Sequence, residues 1–151
     1  MLRKAYMNNL KEGRYIENMS KLVVVIQCDH VCHKCSGYPC ANAFYSREGA
    51  FQGYEPDTRY MSMTCGGCCG IEVASKLEDL RRKFKRYGQD LNEVVVHLAS
   101  CIVSDNYHNP PCPHREYIMQ IVERKGFPLV KGSYISKTAT KRREEGIYKE
   151  F

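Results

Sequence analysis

Five consecutive aliphatic residues, Leu22, Val23, Val24, Val25 and Ile26, constrain this chain more than any other stretch. A strand with one wet side alternates apolar and polar residues, so an unbroken β-branched run belongs to a strand covered on both faces. Covering both faces takes helices. A second strand-like run spans residues 59–64, and beyond it Val73, Leu77, Leu80, Phe84 and Tyr87 recur at helical spacing until Gly88 ends the run. Glu72 with Lys76, Glu78 with Arg82 and Asp79 with Lys83 form i,i+4 pairs on the wet side of that helix. Residues 94–99 make a third strand, Tyr117, Ile118, Ile121 and Val122 mark a helix over 114–125, and a fourth strand opens over 128–130. A further helix starts near residues 38–40, and 49–57 reads as loop. Strands alternating with helices predict an α/β fold: a small, mostly parallel sheet of about four strands with helices on both faces, flavodoxin- or Rossmann-like.

At 151 residues the chain fits one domain with an ordinary core. Residues 1–18 show no sustained period and read as an N-terminal extension, 19–135 as the α/β domain, and 136–151 as a charged tail with little to bury. Residues 1–20 are polar and charged, and the apolar run that follows is too short to span a membrane. The expectation is a protein of the reducing cytoplasm with no membrane partner. The net charge is +6, but the basic residues are spread among acidic ones, which argues against a nucleic-acid partner.

Nine cysteines are too many for chance packing, and where thiols stay reduced such clusters bind metal or do redox chemistry. The densest group is Thr64-Cys65-Gly66-Gly67-Cys68-Cys69-Gly70, between the second strand and its helix. A strand that breaks into a glycine-rich turn carries that turn to the carboxyl edge of the sheet, where open α/β folds bind ligands. A helix N-terminus just beyond it favours thiolate over thiol. The first three strands end in Cys28, Cys65 and Cys101, so in a parallel sheet these three thiols converge on one edge. Cys65 and Cys68 have C-x-x-C spacing, which suits one ion held by two thiolates or a reversible disulfide. Cys112-Pro113-His114 places a thiol and an imidazole on a stiff turn at a helix start. Cys32 and Cys69 read as packing residues, and His97 as a satisfied core histidine. There is no P-loop, G-x-S-x-G or G-x-G-x-x-G motif.

The central Cys-Gly-Gly-Cys, the His97-Leu98-Ala99-Ser100-Cys101 strand end and the Pro111-Cys112-Pro113-His114 turn together resemble the CGGC-domain family of small Cys/His-rich proteins. The resemblance covers residues 21–133 and implies metal binding, with zinc the suggested ion. Cys28, Cys35 and Cys40 match the family's first cysteine group, and Cys32 is extra. Two positions depart from the family's tendency. Cys69 replaces a proline after the central motif, and Gly132-Ser133-Tyr134 replaces Gly-Thr-His, removing a histidine from the fourth strand.

Residues and resemblance together predict a metal-binding protein with ligands among Cys28, Cys35, Cys40, Cys65, Cys68, Cys101, Cys112 and His114. This inventory exceeds the four ligands of a structural zinc site. Thiolate donors select zinc, copper(I) or iron–sulfur over hard cations, and zinc ranks ahead of an iron–sulfur cluster here. The alternative is a thiol–disulfide oxidoreductase in which Cys65 and Cys68 cycle between dithiol and disulfide.

Overall fold

Val23, Val24, Val25 and Ile26 are fully buried and form the middle of strand β1 (Leu22–Gln27). The computed structural model describes residues 20–106 and 109–149. The extension expected over 1–18, and His108, lie outside the described residues. β1 pairs in parallel with β2 (Arg59–Thr64) on one side and β3 (Val94–Leu98) on the other, and β3 pairs in parallel with β4 (Leu129–Lys131). The order is β2-β1-β3-β4. Around the sheet run α1 (Asp29–Cys32), α2 (Tyr38–Tyr45), α3 (Val73–Arg86), α4 (Ser100–Val103), α5 (Arg115–Arg124) and α6 (Lys137–Glu144). This is the α/β fold that the alternation of strands and helices predicts, all-parallel and flavodoxin-like.

The period of two along each strand divides the core between the faces. Leu22, Val24 and Ile26 join Val94, Val96 and Leu98 under Val73, Leu77 and Phe84 of α3 and Ile118 and Val122 of α5. Val23, Val25 and Val95 face the other way, against Ala43 and Phe44 of α2 and against Phe51 and Tyr54. Residues 49–57, read as loop, thus carry two aromatic rings into the second core, one of them on the short 3-10 turn Gly49–Phe51. The chain leaves β1 outward to β2, then crosses back to β3. The crevice between the carboxyl ends of β1 and β3 is therefore the switch point at which open α/β sheets bind ligands.

Four local readings change. α1 and α4 are single turns, too short for a periodicity to announce them. Tyr87 and Tyr117, counted in the apolar stripes, are 78% and 52% exposed, because a tyrosine at the edge of a stripe keeps its hydroxyl wet. Glu78 pairs not with Arg82 but with Lys125 of α5, at 3.2 Å, while Glu72–Lys76 and Asp79–Lys83 form as read. Residues 137–144, within the stretch read as tail, form α6, capped by Ser136 Oγ accepting from Ala139 N–H.

His97 is a satisfied core histidine, as expected. Its Nδ1 lies 2.8 Å from the Gly132 carbonyl, which can only accept, so Nδ1 carries the hydrogen and Nε2 accepts from Tyr54 Oη at 2.7 Å. Burial pushes its pKa down to about 4, against an ordinary 6.5, with the Gly132 hydrogen bond partly opposing. A depressed folded pKa means that the contribution to stability is complete above pH 6.5. As the pH falls towards 4, the unfolded chain takes up a proton that the folded chain refuses, and that stability is lost. Urea unfolding at pH 7 and pH 4.5 is expected to show a loss on the order of 2–3 kcal/mol from this group. The His97→Gln variant should show a loss smaller by that amount.

Candidate functional site

β1 ends at Gln27, and the next two backbone N–H groups each find a sulfur. Cys28 N–H donates to Cys101 Sγ at 3.3 Å, and Asp29 N–H donates to Cys65 Sγ at 3.4 Å. Cys65 follows β2 and Cys101 follows β3, the two strands that flank β1, so the parallel register alone brings these sulfurs to the same turn. The backbone fixes both. Cys65 N–H donates to the Gln27 carbonyl at 2.9 Å, and Ala99 N–H, two residues before Cys101, donates to the Ile26 carbonyl at 2.9 Å. The proline turn joins the same edge: Cys112 N–H donates to the Ile102 carbonyl at 2.8 Å, and Cys112 packs with Cys28 and Cys101 against the core that holds Cys65.

The thiols fall into two groups about this turn. On the β2 side, Thr64 ties down the glycine-rich loop: its hydroxyl donates to Asp29 Oδ1 at 2.8 Å and accepts from Gly66 N–H at 3.3 Å. Cys65 is buried, whereas Cys68 and Cys69 are exposed. Cys69 holds φ at +71°, a left-handed conformation uncommon outside glycine, and its Sγ lies 3.7 Å from His114 Nε2. α3 begins only at Val73, so the thiols sit a turn ahead of the helix and not on its first N–H groups. Burial raises the pKa of Cys112; a hydrogen bond from the His114 backbone opposes this, and the charges of Cys28, Cys65 and Cys68 add to it.

On the β4 side, Cys32, Cys35, Cys40 and Cys101 line a pocket of about 200 Å³. Cys32 Sγ donates to Gln27 Oε1 at 3.6 Å, Cys35 Sγ accepts from Gly37 N–H at 3.5 Å, and Cys40 Sγ meets Ser133 Oγ at 3.2 Å. Burial pushes Cys101 up to about 12, with Cys28 N–H opposing and the charges of Cys28, Cys40 and Cys32 adding to the rise. Cys32 is pushed up to about 11, chiefly by burial and then by Cys35, Cys28 and Cys40. Each sulfur that ionises makes its neighbours harder to ionise unless a cation joins them.

A family model for the CGGC domain matches residues 22–134. The chain belongs to the CGGC-domain family. No curated protein and no solved structure matches it. The matched residues hold the whole sheet and both thiol groups, while α6 and its wall of the pocket lie beyond them. Among the described residues, no helix is long and apolar enough to cross a membrane.

Within this CGGC domain, the sulfurs of Cys65 and Cys101 reach the turn that begins at Cys28, on the one edge where the parallel sheet was expected to bring all three residues. Cys35 and Cys40 lie on the pocket side, Cys68 is exposed on the loop, and His114 stands beside Cys69. Among the described residues, no three His, Cys, Asp or Glu side chains stand together as a finished ion cage. Two readings are corrected. Cys69 is no packing residue but an exposed one, and Cys32 lines the pocket instead of filling the core. Sequence reasoning missed Thr64, Asp29 and Ser133, which hold the loop and a thiol in place. The signal for Thr64 was present: a hydroxyl residue directly before a glycine turn commonly bonds the backbone two residues on.

Gly70 closes the loop against α5. A Cβ there would lie 2.7 Å from Ile118 Cγ1, and φ is +70°. The Gly70→Ala variant is expected to lose roughly 1–3 kcal/mol in urea unfolding, since both the conformation and the space oppose a side chain. A loss below about 0.5 kcal/mol would show the loop to be free to shift.

Proposed function

We propose that this CGGC domain binds a soft metal ion, zinc, through cysteine thiolates at the carboxyl edge of its sheet. The observation that carries the reading is the pair of N–H···S hydrogen bonds at Cys28 and Asp29, which hold sulfurs from two remote segments around one turn. The donor set fits the ion in kind: thiolates with an imidazole beside them are the usual zinc ligands. We take the ion to the β2 side, with Cys28, Cys65, Cys68 and Cys112 as ligands and His114 as an alternate. Cys65 and Cys112 are anchored through their backbones, while Cys68 rides on a two-glycine loop that lets its side chain close on an ion. Bound there, zinc supplies positive charge that keeps the surrounding thiols ionised. Cys35, Cys40 and Cys101 remain on the pocket side. An iron–sulfur cluster uses the same donors and is the second candidate for the cofactor.

One observation favours a second reading, thiol–disulfide exchange. Cys68 is exposed and Cys65 is buried, the asymmetry expected of an attacking and a resolving thiol.

The test is anaerobic purification followed by elemental analysis of the chain and of its Cys65→Ser and Cys112→Ser variants. The expected result is zinc at or above one equivalent, reduced at least tenfold in affinity in each variant. The domain should stay folded after chelation, because the buried sheet does not need the ion for its core. Metal-free protein whose Cys65→Ser variant traps a mixed disulfide at Cys68 would favour exchange instead.

A further inference from the structure

Metal binding on the β2 side leaves the pocket over the ends of β1, β3 and β4 without a role. At about 200 Å³ it has room for a small organic molecule and not merely an ion. Val31, Pro39 and Ala139 give it an apolar wall. The roof comes from α6 and the segment after it, beyond the residues that the family model matches.

The roof brings a charge. Arg142 Nη1 donates to Tyr148 Oη at 2.6 Å, and the guanidinium lies over the Tyr148 ring at 5.4 Å. That holds it in place without neutralising it. Among the described residues no carboxylate pairs with Arg142, its Nε and Nη2 make no hydrogen bond, and the pocket lining contains neither Asp nor Glu. A half-buried guanidinium held in the lining of an apolar pocket, with no partner for its remaining donors among the described residues, suits a carboxylate on a ligand.

The same lining brings sulfur. Three of its four thiols are engaged with fixed groups: Cys32 with the Gln27 amide, Cys35 with Gly37 N–H and Cys101 with Cys28 N–H. Cys40 instead meets the hydroxyl of the fully buried Ser133. That hydroxyl already accepts from Ser100 N–H at 3.2 Å, so its own hydrogen is available to the sulfur as a thiolate. A small molecule that needs both a thiol and a guanidinium is a disulfide with an acidic group.

We propose that the pocket binds a small organic disulfide carrying a carboxylate, with Arg142 holding the carboxylate and Cys40 taking the sulfur. In the step itself the Cys40 thiolate, its proton released to solvent, attacks one sulfur of the ligand. A new S–S bond forms to Cys40, the ligand's S–S bond breaks, and the other half leaves as a thiolate with the electron pair. Cys40 is oxidised and the departing half is reduced, so no further reactant is needed.

The full chain is treated with 5,5′-dithiobis(2-nitrobenzoate), a carboxylate-bearing aromatic disulfide, and in parallel with uncharged 4,4′-dithiodipyridine. The labelled cysteines are mapped by mass spectrometry. The expected result is a saturable fast phase with the acidic reagent, placed at Cys40 and absent in Cys40→Ser. Arg142→Gln should slow that phase about tenfold with the acidic reagent and leave the uncharged one within about twofold. Far-ultraviolet circular dichroism checks that each variant is folded. If Cys40→Ser does not fold, the mapping and the Arg142→Gln comparison decide. First labelling at Cys68 or Cys69 with no Cys40 phase overturns the proposal, as does an Arg142→Gln change that slows both reagents alike or neither.

Discussion

The arrangement of sulfur in this protein depends on β1 being paired in parallel on both sides. Its register aligns Gln27 with Thr64 of β2 and Ile26 with Leu98 of β3. Residues just beyond those pairs therefore leave the sheet at one level, and three of them or their near neighbours are cysteines. The pairing is held by burial: each fully enclosed Val or Ile contributes roughly 1.5–3 kcal/mol, and β1 presents such residues to both faces in alternation. A polar residue at any of those positions would loosen the register, and with it the meeting of Cys65 and Cys101 at the turn after β1.

The backbone then does for sulfur what it does for phosphate in other open α/β sheets, offering N–H groups at the switch point. Here the acceptors are the protein's own thiols. Two donors cannot serve nine sulfurs, and the rest divide according to the strand they border. Those near β2 ride on a glycine loop braced by Thr64 and Asp29, which leaves Cys68 and Cys69 exposed. Those near β4 are set into a pocket wall by Gln27, Gly37 and Ser133. Exposed thiols on a glycine loop suit closure around an ion. Fixed sulfur and a guanidinium in the lining of one pocket suit a molecular ligand.

The sheet was legible because its signal is periodic. A continuous aliphatic run, three strand ends bearing cysteine and helices with clear apolar stripes leave one architecture open, and Cys28, Cys65 and Cys101 meet where that architecture requires. Elements of a single turn were not legible, since four residues such as Asp29–Cys32 carry no period. Nor was α6, whose charged sequence reads as a tail: its contribution is one buried alanine and the arginines that roof the pocket. Cys69 misled for a different reason. Burial is the ordinary fate of a free thiol, but this one takes a left-handed backbone at the end of the glycine loop and is exposed.

Sulfur gathered from remote strands around the end of β1 is the central claim, and X-ray absorption at the zinc edge of the metal-loaded chain tests it most directly. A shell dominated by sulfur at about 2.3 Å is expected, with one sulfur fewer in each of the Cys28→Ser, Cys65→Ser and Cys112→Ser variants. A shell of nitrogen and oxygen, or one that those three substitutions leave unchanged, would contradict it.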